Sequence, residues 1–242
     1  MRRFLYELKK LYALVFRYPV ARLSAAAPDY DHYWEEKRGA HLGALSHWQR
    51  ARADFALAYL SSREGVSLVD VGCGDGSVLR YLKEKGNVSR ATGVDVSDVA
   101  LAKAREGGIA TVRADIADPA ARASIPDADY LIMFEVLEHL PDSEACLSEM
   151  LHKSRRGVFF SFPNTGFYAH RLRLLFGKFP LQWKTHPGEH LRFWTYADLQ
   201  WWLAAQGYRE ARIRTYEGVP VLNRLWPSLF AAGLFVYLPK DA

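Results

Sequence analysis

From Ser67 onward, short apolar runs alternate with segments whose apolar positions repeat every three to four residues. That rhythm predicts strands buried on both faces, as in a parallel sheet covered by helices above and below. Strands are expected at Ser67 to Val71, Ala91 to Val96, Ile109 to Ala114, Ala128 to Phe134 and Gly157 to Phe162. Helices are expected at Ser77 to Lys85, Asp98 to Glu106 and Asp142 to Ser154. After Pro163 the rhythm breaks into an aromatic, basic, Gly- and Pro-punctuated stretch, 164–194, which reads as an inserted cap. Thr195 then caps a helix running to Gln206, and strands follow at Tyr208 to Tyr216 and Ala231 to Leu238.

Upstream, Phe4, Leu5, Leu8, Leu11, Tyr12 and Val15 fall at helical spacing between basic residues, predicting an amphipathic basic helix. Two readings stand for it: a lid packed on the domain, or a contact of residues 1–23 with an anionic membrane surface. Its apolar core, Leu11 to Phe16, ends at Arg17. Six residues are too few for a secretory segment, which needs about 7 to 15, or for a span of about 20. Ala25 to Pro28 reads as a linker, and Asp31 to Leu60, with Tyr33, Trp34 and Trp48, as further helices. Residues 1–60 thus form an N-terminal helical region before a domain at 61–242.

At 242 residues, half of them hydrophobic, the chain can bury one full core. Its two cysteines, Cys73 and Cys146, make no disulfide framework or zinc pattern, which points to a reducing, cytoplasmic compartment with possible membrane association. A net charge of +5, from 32 Lys and Arg against 27 Asp and Glu, is weak support for an acidic partner. No nucleic-acid recognition module is visible, so small molecules rank ahead of RNA.

The candidate chemistry begins where the first strand of the sheet ends, in Val69-Asp70-Val71-Gly72-Cys73-Gly74-Asp75-Gly76-Ser77. Glycines at a strand's carboxyl end admit a ligand close to the backbone. The dinucleotide pattern GxGxxG fails in both registers, at Ser77 and at Leu79, and no Walker GKS or GKT is present. Asp70 and Asp75 would repel a pyrophosphate and favour a cationic ligand. Asp95, 25 residues after Asp70 and followed by Val96, ends the second strand where a carboxylate can accept from both ribose hydroxyls. Asp115 ends the third and can accept from an adenine amino group, with Ile116 against the ring. Each acid alone also reads as a strand-end or capping residue.

These residues resemble the class I S-adenosylmethionine-dependent methyltransferase superfamily, from about Ser67 to Leu238. VDVGCGDG is similar to its first motif, with Asp70, Gly72, Cys73 and Gly74 at the cofactor. Asp95 resembles its ribose-binding acid and Asp115 its adenine-side acid. The resemblance implies an α/β, Rossmann-like, mostly parallel seven-stranded sheet with an antiparallel last strand and helices on both faces, and S-adenosylmethionine as cofactor.

The acceptor is expected where the fourth strand runs into Phe134-Glu135-Val136-Leu137-Glu138-His139. Glu135, Glu138 and His139 are spaced i, i+3, i+4, which one helical turn would gather on one face. Three readings remain open: His139 as general base, a divalent ion that lowers an acceptor hydroxyl's pKa, or a loop held by hydrogen bonds. The phrase ExxEH resembles ubiquinone-biosynthesis O-methyltransferases and small-RNA 2′-O-methyltransferases, which implies a magnesium site. In the second group a later histidine precedes a Trp-Thr pair, like His190 before Trp194-Thr195, completing Glu135, Glu138, His139 and His190. Ser161 to Asn164 and Arg171 to Gly177 resemble the methionine-biosynthesis MetW proteins, which implies the rival reading of a non-catalytic accessory regulating a partner enzyme.

The cap interleaves Phe167, Tyr168, Trp183, Phe193 and Trp194 with Arg171, Arg173, Lys178, Lys184 and Arg192. Such a surface suits an anionic, partly apolar acceptor: a small molecule, glycan or lipid-linked compound. It is equally ordinary cap packing. Pro220 to Leu238 is apolar and reads mostly as the last core strand with the connection to it; the alternative is that it joins the N-terminal helix in a membrane-facing patch.

Overall fold

A computed structural model describes residues 2–19, 29–37, 43–60, 65–183 and 186–240. Seven strands, β1 (Val66–Val71), β2 (Val88–Asp95), β3 (Ala110–Arg113), β4 (Ala128–Phe134), β5 (Ser154–Pro163), β6 (Arg212–Gly218) and β7 (Ala231–Pro239), form one sheet. Their order is β3-β2-β1-β4-β5-β7-β6, with β7 antiparallel to its neighbours β5 and β6. This is the mostly parallel sheet that the strand rhythm predicts, in the seven-stranded, Rossmann-like form that the resemblance implies.

All six residues of β1 are buried, as a central strand covered on both sides requires. Leu68 and Tyr130 face a core closed by α3 (His47–Leu60), α4 (Ser77–Lys85) and α5 (Asp98–Glu106). Val69 and Leu131 face the opposite core, closed by α6 (Ser143–Lys153) and α8 (Tyr196–Ala205). Thr195 caps α8 reciprocally with Asp198, as its position suggests.

Two segments differ from expectation. Gly207, at φ 86°, ends α8, and Tyr208 N–H donates back to Leu203 O. Residues 208–211 are thereby used to close the helix, and β6 begins at Arg212. The apolar run after Pro220 folds into two single turns, α9 (Leu222–Leu225) and α10 (Pro227–Phe230), before β7.

At the N-terminus, α1 (Arg2–Phe16) is followed by α2 (Tyr30–His32), which continues as a wide turn over Tyr33–Lys37. The expected linker at Ala25 to Pro28, residues 20–23 and Lys184 lie outside the described residues. After β5 the cap contributes α7 (Tyr168–Leu175), and α1 lies along it. Among the described residues, no helix is long and apolar enough to cross a membrane.

Candidate functional site

The loop after β1 is fastened to the end of β2. The N–H groups of Gly72 and Cys73 donate to Val94 O at 2.7 and 3.0 Å, and Gly74 N–H donates to Asp95 Oδ2 at 2.8 Å. Asp95 Oδ1 accepts from Ser97 N–H at 3.0 Å. Asp95 therefore shapes the loop, and a carboxylate's remaining lone pairs still allow it to accept from a ligand. Gly72 and Gly74 have φ of 77° and 54°. A Cβ at Gly72 would come within 2.6 Å of Val136, and one at Gly74 within 2.3 Å of Trp34. Neither position tolerates a side chain.

Asp75 corrects the sequence argument. It is fully buried, and its carboxylate accepts from Ser77 N–H and Oγ–H and, at 2.7 Å, from Gly43 N–H. It holds the start of α4 rather than facing a ligand.

Beside the loop lies a small cleft lined by Trp34, Gln49, Arg52, Asp70, Gly72, Cys73 and Phe134, among others. Asp70 lies at 3% exposure, and burial together with the charge of Asp95 pushes its carboxyl up to about 8. Burial also raises the Cys73 thiol, whose S–H donates to Gly74 O, so it is a packing residue rather than a nucleophile. Phe134 is half-buried against Phe235. Val96 is half-buried just past β2, while Asp115 is exposed at the end of β3, accepting from Ala117 N–H at 3.0 Å. Ile116 packs on the core behind it.

The acceptor side departs further from the sequence reading. Glu135 stands at φ 56°, a left-handed conformation costly for a residue with a Cβ. Its N–H donates to Ser161 Oγ at 3.1 Å and its Oε1 accepts from Ser161 at 2.8 Å and from Tyr216 Oη–H at 2.9 Å. Arg52 approaches the same oxygen at 3.3 Å. The helical turn expected to gather three ligands starts only at Leu137, so Glu135 is turned away to a separate network. Glu135 is thus removed from the proposed metal set.

Glu138, His139 and His190 come together, with one ligating atom from each within 4.8 Å of the others. Glu138 is 1% exposed, and neither carboxylate oxygen has a hydrogen-bond partner among the described residues. Burial and the charge of Glu135 hold its pKa well above the usual carboxylate range. His139 Nδ1–H donates to Glu189 O, which places the ring's lone pair on Nε2. The His139 and His190 rings meet edge-on at 4.6 Å, and Leu191 and Arg192 N–H donate to Glu138 O, tying the cap to this turn.

Sequence reasoning missed Arg52, Tyr216 and Tyr30. Arg52 occupies the sheet-facing stripe of α3 with Trp48, Phe55 and Ala56, and a basic residue inside an apolar stripe was the available signal. Tyr216, from β6, carried none. Tyr30 stands edge-on to His139 at 6.5 Å, and burial with the nearby Glu189 and Asp95 raises its phenol to about 12. Its segment is latched by Asp31, which accepts from Ser97 Oγ and from Val99 N–H at 3.2 Å. The lid over the glycine loop is this segment, through Trp34, and not α1.

A family described as a methyltransferase domain matches residues 44–211. A ubiquinone biosynthesis O-methyltransferase of Methylococcus capsulatus is 30% identical over 158 residues, covering 62% of this chain and 65% of that protein. The match therefore spans less than two thirds of that relative's length. Among solved structures, an S-adenosylmethionine-dependent methyltransferase from Archaeoglobus fulgidus superposes with a TM-score of 0.59 at 20% identity, covering 87% of this chain and 100% of its own. The methyltransferase domain of a bacterial Hen1 protein gives 0.56 at 22% identity, covering 79% and 97%. Both likenesses establish the fold.

Proposed function

The chain belongs to the methyltransferase-domain family, and from that membership we propose that it transfers the methyl group of S-adenosylmethionine to a hydroxyl oxygen of a small-molecule, glycan or lipid-linked acceptor. The observation that carries the oxygen chemistry is the Glu138, His139 and His190 cluster beside the cofactor cleft, with a buried carboxylate that has no hydrogen-bond partner among the described residues.

In this reading the amino-acid end of the cofactor is a zwitterion set into the cleft, its carboxylate toward Arg52 and its ammonium toward Asp70. Asp95 accepts from the ribose hydroxyls, Val96 and Ile116 flank the adenine, and Asp115 accepts from its amino group. Cys73 and Phe134 complete the wall. The cofactor would supply an electrophilic methyl group: an O–C bond would form to the acceptor oxygen as the C–S bond breaks, sulfur would keep the electron pair as S-adenosylhomocysteine, and the hydroxyl proton would pass to His139 or to solvent. Most of the rate comes from alignment and exclusion of water.

Glu138, His139 and His190 fit a divalent cation such as magnesium, although two imidazoles also suit zinc or manganese. When bound, the cation supplies a Lewis acid that lowers the acceptor hydroxyl's pKa. The Glu189 carbonyl orients His139 for ligation, and Tyr30 closes the cluster from the lid. Peripheral membrane contact belongs to this reading wherever the acceptor is lipid-linked.

The test is methyl transfer from labelled cofactor to phenolic, sugar and lipid fractions, with and without chelator. Turnover lost to chelator and restored by a divalent ion supports the cation. Turnover that resists chelator but vanishes in His139→Ala assigns His139 as the general base instead. Normal cofactor binding without transfer to any fraction would move the chain to the accessory reading.

A further inference from the structure

An amphipathic helix ordinarily buries its apolar stripe, but α1 does not: Val15 is the one buried side chain among those described, while Leu8 and Tyr12 are 46% and 56% exposed. The helix is nevertheless held in place. Buried Arg173 of α7 donates from Nη1 to the carbonyls of Leu14, Val15 and Arg17 at 2.9 to 3.1 Å, closing the negative end of the helix, and Phe16 meets Phe176 at 4.9 Å. On its other side α7 joins α10, through Arg171 to Ser228 O at 3.1 Å and Tyr168 against Phe230. The three pieces are thus joined in series through α7, and they leave Leu175 at 77%, Leu225 at 75% and Trp226 at 59% exposure.

Charge separates in the same way. Segments 2–19, 168–183 and 219–230 carry nine Lys and Arg, one of them the buried Arg173, against Glu7 alone. The rest of the chain has 23 basic and 26 acidic residues, a slight negative balance. Exposed apolar side chains among basic ones match an anionic bilayer, whose headgroups attract the cations while its acyl boundary accepts the rings and leucines. A second copy on this face would set like charge against like charge.

We infer that α1, α7 and the α9–α10 arm together form a preassembled docking surface for anionic lipid bilayers. The face continues toward the acceptor cluster through Phe179, Phe193 and His190, whose rings follow one another at 5.5 and 6.3 Å. Delivery of a lipid-borne acceptor along that path rests on the methyl-transfer reading; docking itself does not.

The test is flotation of the full chain with phosphatidylcholine vesicles, alone or with about a third phosphatidylglycerol, at low and high salt. Binding is expected on the anionic vesicles and should fall with salt. Leu175→Glu/Trp226→Glu, at exposed positions, should weaken it at least tenfold, and Lys9→Gln/Lys10→Gln roughly 30-fold, with melting temperature and S-adenosylmethionine affinity unchanged. Absence of vesicle binding by the parent protein, or equal binding by the variants, overturns the proposal. A dimer in light scattering that Leu175→Glu/Trp226→Glu dissociates would assign the face to a second copy and overturn it too. Cofactor titration of the same samples separates that failure from failure of the methyltransferase reading.

Discussion

At the cofactor end, Asp95 reaches Gly74 across 21 residues and Ser97 across two. At the acceptor end, His139 reaches Glu189 across 50 residues and Glu135 reaches Tyr216 across 81. The first set closes once β1 and β2 pair, and its geometry is mostly backbone. The second exists only when the cap has returned over β4 and β6 has docked on β7. One half is therefore a property of a supersecondary unit and the other of the completed domain. Arg52 links them, donating to Tyr216 at 3.2 Å across 164 residues while lining the cofactor cleft.

Asp95→Ala should break the cofactor half most severely. On the proposed reading Asp95 accepts from both ribose hydroxyls, and losing those two charged hydrogen bonds, about 1.5–3 kcal/mol each, should cost at least ~100-fold in affinity by calorimetry. The loop also loses its anchor at Gly74. Affinity that survives would place the organising contact elsewhere.

Glu138→Gln tests whether the halves are separable. Turnover should drop about 100-fold while cofactor affinity changes less than about threefold, and the melting temperature should rise because a buried carboxylate without partners is removed. Parallel loss of turnover and cofactor affinity would erase the distinction.

Arg52→Met probes the link. Affinity for S-adenosylmethionine should fall about 10- to 100-fold, while a decarboxylated cofactor analogue should bind both proteins alike. Equal losses for the two ligands would remove Arg52 from the carboxylate.

The smallest effect concerns Asp70. Its native carboxyl titrates near 8, whereas an unfolded aspartate does so at about 3.9. Between those values the native state holds a proton that the unfolded state has released, so stability without cofactor declines as pH rises toward 8 and levels above it. The parent protein should melt several degrees lower at pH 8 than at pH 6, and Asp70→Asn should remove that slope. A pH-independent melting point in the parent would show Asp70 to be ionised.

The glycine loop, the acid at Asp95 and the strand rhythm were legible along the chain because each depends on neighbours in sequence or on burial period. Thr195 was legible as a cap for the same reason. The ExxEH spacing misled, because it assumed a helical turn where Glu135 adopts a left-handed backbone fixed by Ser161, a residue 26 positions away. No local pattern encodes that bend. Likewise, the stripe in α1 announced an amphipathic helix but left both lid and membrane open. Arg173 and Phe176, from the cap, place the helix against α7 and leave Leu8 and Tyr12 exposed. Periodicity and backbone chemistry act over a few residues and can be read from the chain. Which carboxylate is paired, which is left bare beside two imidazoles, and which apolar face stays in solvent depend on contacts that form when distant segments pack.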